Sequence, residues 1–377
     1  MFRREQAGTA IADLVHVLSR ATLLITNLIT VRISLKRPLV KIRNTVLVAS
    51  AAAASIILAG CAGPAGSAAP AAEDDGRIQI VASTSVYGSI AETIGGDFVD
   101  VTSLISSAAQ DPHSFEASAR DQLAISKADL VIENGGGYDP FIDTLLSGAG
   151  SSAVVLNAVD ASGLLEDDHG HGEEGHADDT STEEPTDDHT EEAHSDDDGH
   201  DHIEGFNEHV FYDLHGVIHV AEELSHELGE LDPANADAYT ANFDAFHKQI
   251  EALETEAESI SARAQGAGVA VTEPVALYLL QASGYENKTP DEFTEAIEEG
   301  TDVPPLALQQ TLDLFSNGTV SLLGYNEQTT SPETEKVLAA ADAAGVPVVS
   351  FTETLPEGSD YVSWMTDNLA AIAAATP

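Results

Sequence analysis

Residues Ile78 to Ile105 read IQIVASTSVYGSIAETIGGDFVDVTSLI, and this stretch decides the fold class. Ile78-Gln79-Ile80-Val81-Ala82 is a short apolar run bounded by Ser83 and Thr84, which is a strand signal. Ser85 to Ile94 reads as helical and stops at Gly95-Gly96. Val99 to Ile105 returns to the strand pattern. The rhythm continues with a helix at Ser118 to Ser126, a buried strand at Leu130-Val131-Ile132, a helix at Pro140 to Leu146 and a strand at Ala153 to Leu156. Alternation of this kind predicts a mostly parallel α/β sheet, because parallel strands need helical crossovers.

Downstream, residues 166–202 break the rhythm with 17 acidic side chains, 7 histidines and no Lys or Arg. So little of it can be buried that the composition predicts a disordered loop. A long helical stretch follows. Tyr239, Phe243, Phe246, Ile250, Leu253, Ala257 and Ile260 recur at alternating spacings of 4 and 3, which is one apolar stripe. Asp232-Pro233 marks its start and Gly266 its end, and roughly 30 helical residues span about 45 Å. The pattern fits a rod bridging two lobes and equally a long surface helix. After Gly268 the α/β rhythm returns, with strands at Val269 to Val271, Val320 to Leu323 and Val346 to Phe351 and helices at Thr334 to Ala344 and Tyr361 to Ala375. The expected architecture is α/β: two α/β lobes joined by a long backbone helix. The lobes are 77–232, including the loop 166–202, and 266–377, with the helix at 233–265. A cleft between lobes favours a small ligand.

Composition narrows the partners. With 15 Lys plus Arg against 64 Asp plus Glu, the chain repels nucleic acid and attracts cations. Its single cysteine rules out an intramolecular disulfide and a Cys-rich zinc finger. Residues 1–60 hold eight basic and only two acidic side chains, so a basic head precedes an acidic body. That asymmetry marks a targeting segment. Lys41 and Arg43 precede an apolar run from Thr45 to Ala59, too short for the ~20 residues of a spanning helix. The run ends in Leu58-Ala59-Gly60-Cys61, which resembles the bacterial lipobox, where the cysteine after cleavage becomes lipidated. Residues 40–60 then form the signal peptide, and 61–76, rich in Ala, Gly and Pro, form a tether. Residues 1–39 fit either an upstream extension before a true start near Val40 or a long charged leader.

The sequence has no His-Glu-x-x-His helix, no Gly-x-Ser-x-Gly elbow and no phosphate-binding loop, and no enzyme is expected. Gly135-Gly136-Gly137 follows a strand and reads as a turn permitting close backbone approach. Histidine is the unusual residue. His113 lies in Asp111-Pro112-His113-Ser114-Phe115-Glu116 and His209 in Asn207-Glu208-His209-Val210-Phe211-Tyr212-Asp213. Both sit where a strand-like segment gives way to loop or helix, the edge that lines clefts in α/β folds. Taken singly, each is more often a satisfied surface or core histidine than a ligand. His215 and His219 are one helical turn apart, and they, His226 and His247 read as surface or packing residues on helices. Tyr361 and Trp364 read as packing the last helix on its lobe.

Val81-Ala82-Ser83-Thr84, the Asp111–Glu116 segment and the Asn207–Asp213 segment together resemble the zinc/manganese solute-binding lipoproteins of ABC importers. The second motif of that family is usually Asn-Pro-His-Val-Trp; here Glu208 replaces Pro and Phe211 replaces Trp. The resemblance runs from about Ile78 to the C-terminus. It implies two lobes binding metal between them, with two ligands from each. The first two map onto His113 and His209. The third follows the first strand of the second lobe and maps onto Glu273 in Val271-Thr272-Glu273-Pro274. The fourth, usually Asp, maps onto Glu353 in Phe351-Thr352-Glu353-Thr354.

Two imidazoles and two carboxylates suit Zn²⁺ and tolerate Mn²⁺. Zn²⁺ stands above Mn²⁺ in the stability order, and a His-rich acidic insertion before the second motif is common in the zinc branch. The expected cargo is therefore Zn²⁺, with Mn²⁺ as the alternative. His169, His171, His176, His189, His194, His200 and His202 form either an auxiliary metal collector or a solvated spacer. The expected protein is a monomer at the extracytoplasmic face of the bacterial cell membrane, anchored by lipid on Cys61. Its partners are an ABC permease and ATPase. The competing reading is a surface metal buffer or adhesin. A metallohydrolase ranks last, since it needs an open coordination position and four protein ligands leave little room for one.

Overall fold

The computed structural model describes residues 76–107, 110, 112–165, 203 and 205–377. The signal peptide, Cys61, the tether to residue 75 and the seven-histidine stretch lie outside the described residues. Two four-stranded sheets organise the rest. The first holds β1 (Ile78–Thr84), β2 (Val99–Ile105), β3 (Leu130–Glu133) and β4 (Val154–Asn157) in the order β2-β1-β3-β4. The second holds β5 (Ala267–Val271), β6 (Tyr285–Asn287), β7 (Leu322–Asn326) and β8 (Val348–Phe351) in the order β6-β5-β7-β8. Every pairing is parallel.

The two sheets thus repeat one topology. In each, the first strand has its successor on one side and the third strand on the other. The connection reverses direction there, which opens a crevice at the carboxyl ends of the strands. Central β1 is buried along nearly its whole length, as a strand covered on both faces must be, whereas edge strand β2 alternates in exposure.

Helices α1 (Ser85–Gly95), α2 (Ala119–Ile125), α3 (Phe141–Ala149) and α4 (Ala158–Ser162) belong to the first lobe. The helix expected from Ser118 begins one residue later because Ser118 is its cap. The Ser118 backbone N–H donates to Asp121 (2.8 Å), and Asp121 N–H donates back to Ser118 Oγ (3.4 Å). Next come α5 (Leu214–Leu231) and the 29-residue α6 (Ala236–Ala264). The second lobe carries α7 (Leu277–Ala282), α8 (Asp291–Glu298), α9 (Pro305–Ser316), α10 (Pro332–Ala344) and α11 (Tyr361–Ala375).

Helix α6 starts at Ala236 rather than at residue 233. Asp232 instead closes α5, and its carboxylate accepts from Asn235 Nδ2 (2.6 Å) and Tyr239 OH (3.1 Å), pinning the corner between the two helices. Six of the seven stripe residues are buried; Phe243 is half-buried and lies beside His247. The stripe packs on α1 and α5 of the first lobe and on α7 and α11 of the second. One continuous core therefore runs from Ile90 and Ile94 through Phe246, Ile250 and Ile260 to Leu280, Trp364 and Ile372. Each such side chain contributes about 1.5–3 kcal/mol by burial, so α6 holds helices of both lobes at once.

The strands read at Val320 and Val346 begin two residues later, at Leu322 and Val348. Gly345, with φ 70°, ends α10, and Pro347 contributes a carbonyl but no N–H to the ladder. Strand β7 also continues to Asn326, a polar residue buried at the strand's end.

Candidate metal centre

The crevice at the strand ends gathers side chains from both sheets. His113 lies between β2 and α2, and Tyr138 between β3 and α3. His209 immediately precedes a 3-10 turn (Val210–Tyr212) that leads into α5. Glu273 lies two residues past β5, Asn326 is the last residue of β7, and Glu353 lies two residues past β8. His113 and Glu353, 240 positions apart in the chain, thus meet because parallel strands all end on the same side.

The 135–137 glycine turn shapes this floor. All three glycines have positive φ, and a Cβ on Gly135 would sit 2.3 Å from Asn157 Nδ2. Only glycine allows both the backbone and the close approach. Asn134, buried beneath the turn, donates from Nδ2 to the carbonyl of Glu208 (2.9 Å) and accepts from Tyr87 OH (2.5 Å). That contact holds the backbone beside His209.

The orientation of His209 follows from its neighbours. Asn207 Nδ2 donates to the Pro274 carbonyl (3.0 Å), so its Oδ1 must face the other way. There it accepts from His209 N–H (3.2 Å) and meets His209 Nδ1 at 2.8 Å. An amide oxygen only accepts, so Nδ1 carries a proton and Nε2 is turned towards the cluster. Three tyrosine hydroxyls tie this segment to the second lobe. Tyr278 donates to the Asn207 carbonyl, Tyr212 to the Thr352 carbonyl and Tyr361 to the Phe211 carbonyl, each at 2.8 Å. Phe211, at the position where tryptophan was expected from the resemblance, is fully buried among Tyr87, Tyr138, His209 and Trp364.

Glu353 is the hub. Its Oε2 lies 3.6 Å from His113 Nε2 and 3.8 Å from His209 Nε2, and accepts from Tyr138 OH at 3.2 Å. Its Oε1 accepts from Asn326 Nδ2 (2.8 Å), and its backbone N–H donates to Gln328 Oε1 (2.5 Å). His113, His209 and Glu353 each offer a ligand atom, and these atoms all lie within 4.8 Å of one another. Glu273 stands outside that close group. It joins through Asn326, whose Nδ2 also donates to Glu273 Oε2 (2.6 Å), while Glu273 Oε1 is buried without a hydrogen bond. Of the four residues mapped from the sequence, three are therefore gathered and the fourth is held one amide away.

Electrostatics separates these groups. Burial alone would raise the Glu353 carboxyl, but the neighbouring imidazoles of His209 and His113 outweigh it and hold the group down at about 2. Burial likewise opposes a charge on His209, yet Glu353 and the neighbouring Glu298 and Glu208 lift it to about 9. Glu273, buried and facing the Glu353 charge, is pushed up to about 7. The pocket is built around positive charge, and two imidazoles with two carboxylates match the donor preferences of Zn²⁺. The orphaned Glu273 oxygen has the chemistry of a waiting ligand atom.

Sequence reasoning did not find Tyr138, Asn326, Glu208 or Glu298. Glu298, the last residue of α8, reaches 3.8 Å from His209 Nδ1. As one of two adjacent acids ending an amphipathic helix, it carried no signal distinguishing it from a surface residue. His215 and His219 do share a face, with rings 4.9 Å apart and His215 Nδ1 3.7 Å from Glu254, but His215 is largely exposed. His226 and His247 lie on helix surfaces beside Glu230 and Glu251.

Two parallel α/β lobes, with imidazoles and carboxylates gathered at their strand ends, define a two-lobed α/β protein with a candidate metal centre between the lobes. The chain matches the family model of the zinc-uptake complex component A, periplasmic (ZnuA), over residues 80–375, and it belongs to that family. It is 25% identical over 196 residues to the manganese-binding lipoprotein MntA of Bacillus subtilis (strain 168), covering 51% of this chain and 52% of that relative. The chain thus spans about half the length of that relative. The metal ABC transporter substrate-binding lipoprotein ScbA of Streptococcus cristatus is 25% identical over 322 residues, 79% of this chain and 88% of ScbA. Among solved structures, the Mn²⁺ complex of the solute-binding protein FpvC from Pseudomonas aeruginosa superposes with a TM-score of 0.58 at 25% identity, covering 80% and 98% of the two chains.

Proposed function

We propose that this chain captures a divalent transition metal, Zn²⁺ in the first place, and delivers it to an ABC importer. His113, His209, Glu353 and Glu273 are the ligands in this reading. The observation that carries it is the convergence of His113, His209 and Glu353 within 4.8 Å at the strand ends of both lobes. Glu273 completes the set by turning its carboxylate past Asn326. The permease and its ATPase take the metal up, and lipid on Cys61 holds the receptor at the extracytoplasmic face of the membrane. Four protein ligands leave no open coordination position, which suits a carrier and not a hydrolase.

A second reading, manganese as cargo, is favoured by the two carboxylates, whose bidentate binding raises coordination above four, and by a manganese-binding relative. Calorimetry of Zn²⁺ and Mn²⁺ binding to the full chain in detergent, beside a version lacking 166–202, tests both. One tight site that survives the deletion and disappears in His113→Ala is the expected result, and the tighter metal identifies the cargo. Tight binding that vanishes with residues 166–202 would overturn the cleft receptor in favour of a surface metal buffer.

A further inference from the structure

A second group of potential ligands lies against the first. His113, Glu208 and Glu298 also offer ligand atoms that all lie within 4.8 Å of one another. Glu208 is 2% exposed, and Glu298 has a side chain 10% exposed. Glu208 occupies the position where the resembling family usually has proline, which brings no ligand atom.

The two groups differ in what they face. Glu208 and Glu298 line a cavity of about 430 Å³ whose wall also carries Asp291, Glu295 and Glu299, whereas His113, His209 and Glu353 lie behind that wall and do not line it. Ile203, the first described residue after the seven-histidine stretch, lines the same cavity. Such an acidic vestibule concentrates cations. Four carboxylates around two imidazoles also exceed the charge of a single divalent ion.

We propose that His113, Glu208 and Glu298 form an outer metal station on the route from this vestibule to the inner set. The inference rests on the inner-site reading above. His113 belongs to both groups, so the two are occupied in turn: His113 keeps the ion while Glu208 and Glu298 are exchanged for His209 and Glu353. No proton or electron need be supplied beyond those that metal binding itself displaces.

The test uses the full chain in detergent, with the seven histidines of 166–202 changed to Asn so that they do not compete for the probe, Zn²⁺. First, His209→Ala with Glu353→Gln disables the inner set; one weaker Zn²⁺ site is expected to remain. Adding Glu208→Gln and Glu298→Gln should weaken that residual site tenfold or more, and a smaller loss overturns the proposal. Second, with the inner set intact, Glu208→Gln and Glu298→Gln should slow Zn²⁺ uptake in stopped flow at least threefold. An unchanged rate would overturn the relay. Glu298→Gln alone, at a helix end, covers the case in which the Glu208 variant fails to fold, and must show the same direction of effect. If His209→Ala with Glu353→Gln leaves tight binding intact, the inner-site reading fails instead, and the two failures are distinguishable.

Discussion

Asn326→Ala removes the amide that holds Glu273 and Glu353 side by side. Asn326 Nδ2 donates to the two carboxylates at 2.6 and 2.8 Å, and Glu273 and Glu353 are 4% and 1% exposed. A hydrogen bond to a charged group contributes about 1.5–3 kcal/mol. Protonation of Glu273, whose carboxyl titrates near 7, relieves part of the loss below neutrality. At pH 8 that escape closes, and the expected destabilisation of the metal-free chain is about 3 kcal/mol, or roughly 6 °C in Tm for a domain pair of this size. Bound metal supplies positive charge at the same two oxygens, so with saturating Zn²⁺ the deficit should shrink to about half. The assay is thermal unfolding of wild type and variant at pH 8, with chelator and with Zn²⁺. An equal deficit in both conditions would refute the claim that these carboxylates are held together to receive a cation.

Asn207→Ala should weaken metal binding by roughly 10–100-fold in calorimetry while leaving the fold intact, because the partner that orients the His209 ring is lost. Glu133, half-buried and close to Asp139, titrates near 7 instead of 4.5, with burial the largest cause. Its folded-state value is raised, so its contribution is full below about pH 4.5 and is lost as pH rises through about 7. Glu133→Gln, which keeps an acceptor for Asn157 Nδ2, should flatten that decline and stabilise the protein at pH 8 by about 1–2 kcal/mol, after allowing for solvent screening; urea unfolding between pH 5 and pH 8 measures it. Gly135→Ala places a side chain on a residue with φ 77° and against Asn157. The expected loss is more than about 1 kcal/mol in urea unfolding, with weaker metal binding as the Glu208–His209 backbone shifts.

Much of the architecture was legible because its signals are local. The apolar stripe from Tyr239 to Ile260 reports the buried face of α6 through helical spacing alone. The short runs at Ile78, Leu130, Val269 and Val348 report strands through β-branched composition and flanking turn residues. Tyr285–Asn287, at three residues, is too short for any periodicity to show, and α8 and α9 went unread although Pro290-Asp291 and Pro304-Pro305 mark their starts. The start of α6 was misplaced because Asp232 reads as a helix N-cap, whereas its backbone N–H donates to the Leu228 carbonyl and closes α5.

By itself the sequence determined the alternation of strands and helices, the acidic surplus, the lipobox-like cysteine and, through two short motifs, His113 and His209. The resemblance also pointed to Glu273 and Glu353, but only tertiary structure showed that Glu353 gathers with the two histidines, that Glu273 is held one amide away, and that Glu208 and Glu298 lie beside them. Glu298 is one of 64 acids, and nothing within a few positions sets it apart; Glu273 and Glu353 were marked only by their place after a strand in a motif the family shares. What distinguishes them is the order β2-β1-β3-β4 repeated as β6-β5-β7-β8, which brings distant strand ends to one crevice. Burial there amplifies each charge, and contact with His209 or with another carboxylate then drives Glu353 down to about 2 and Glu273 up to about 7. Such differences arise from distances in space, which no local pattern encodes.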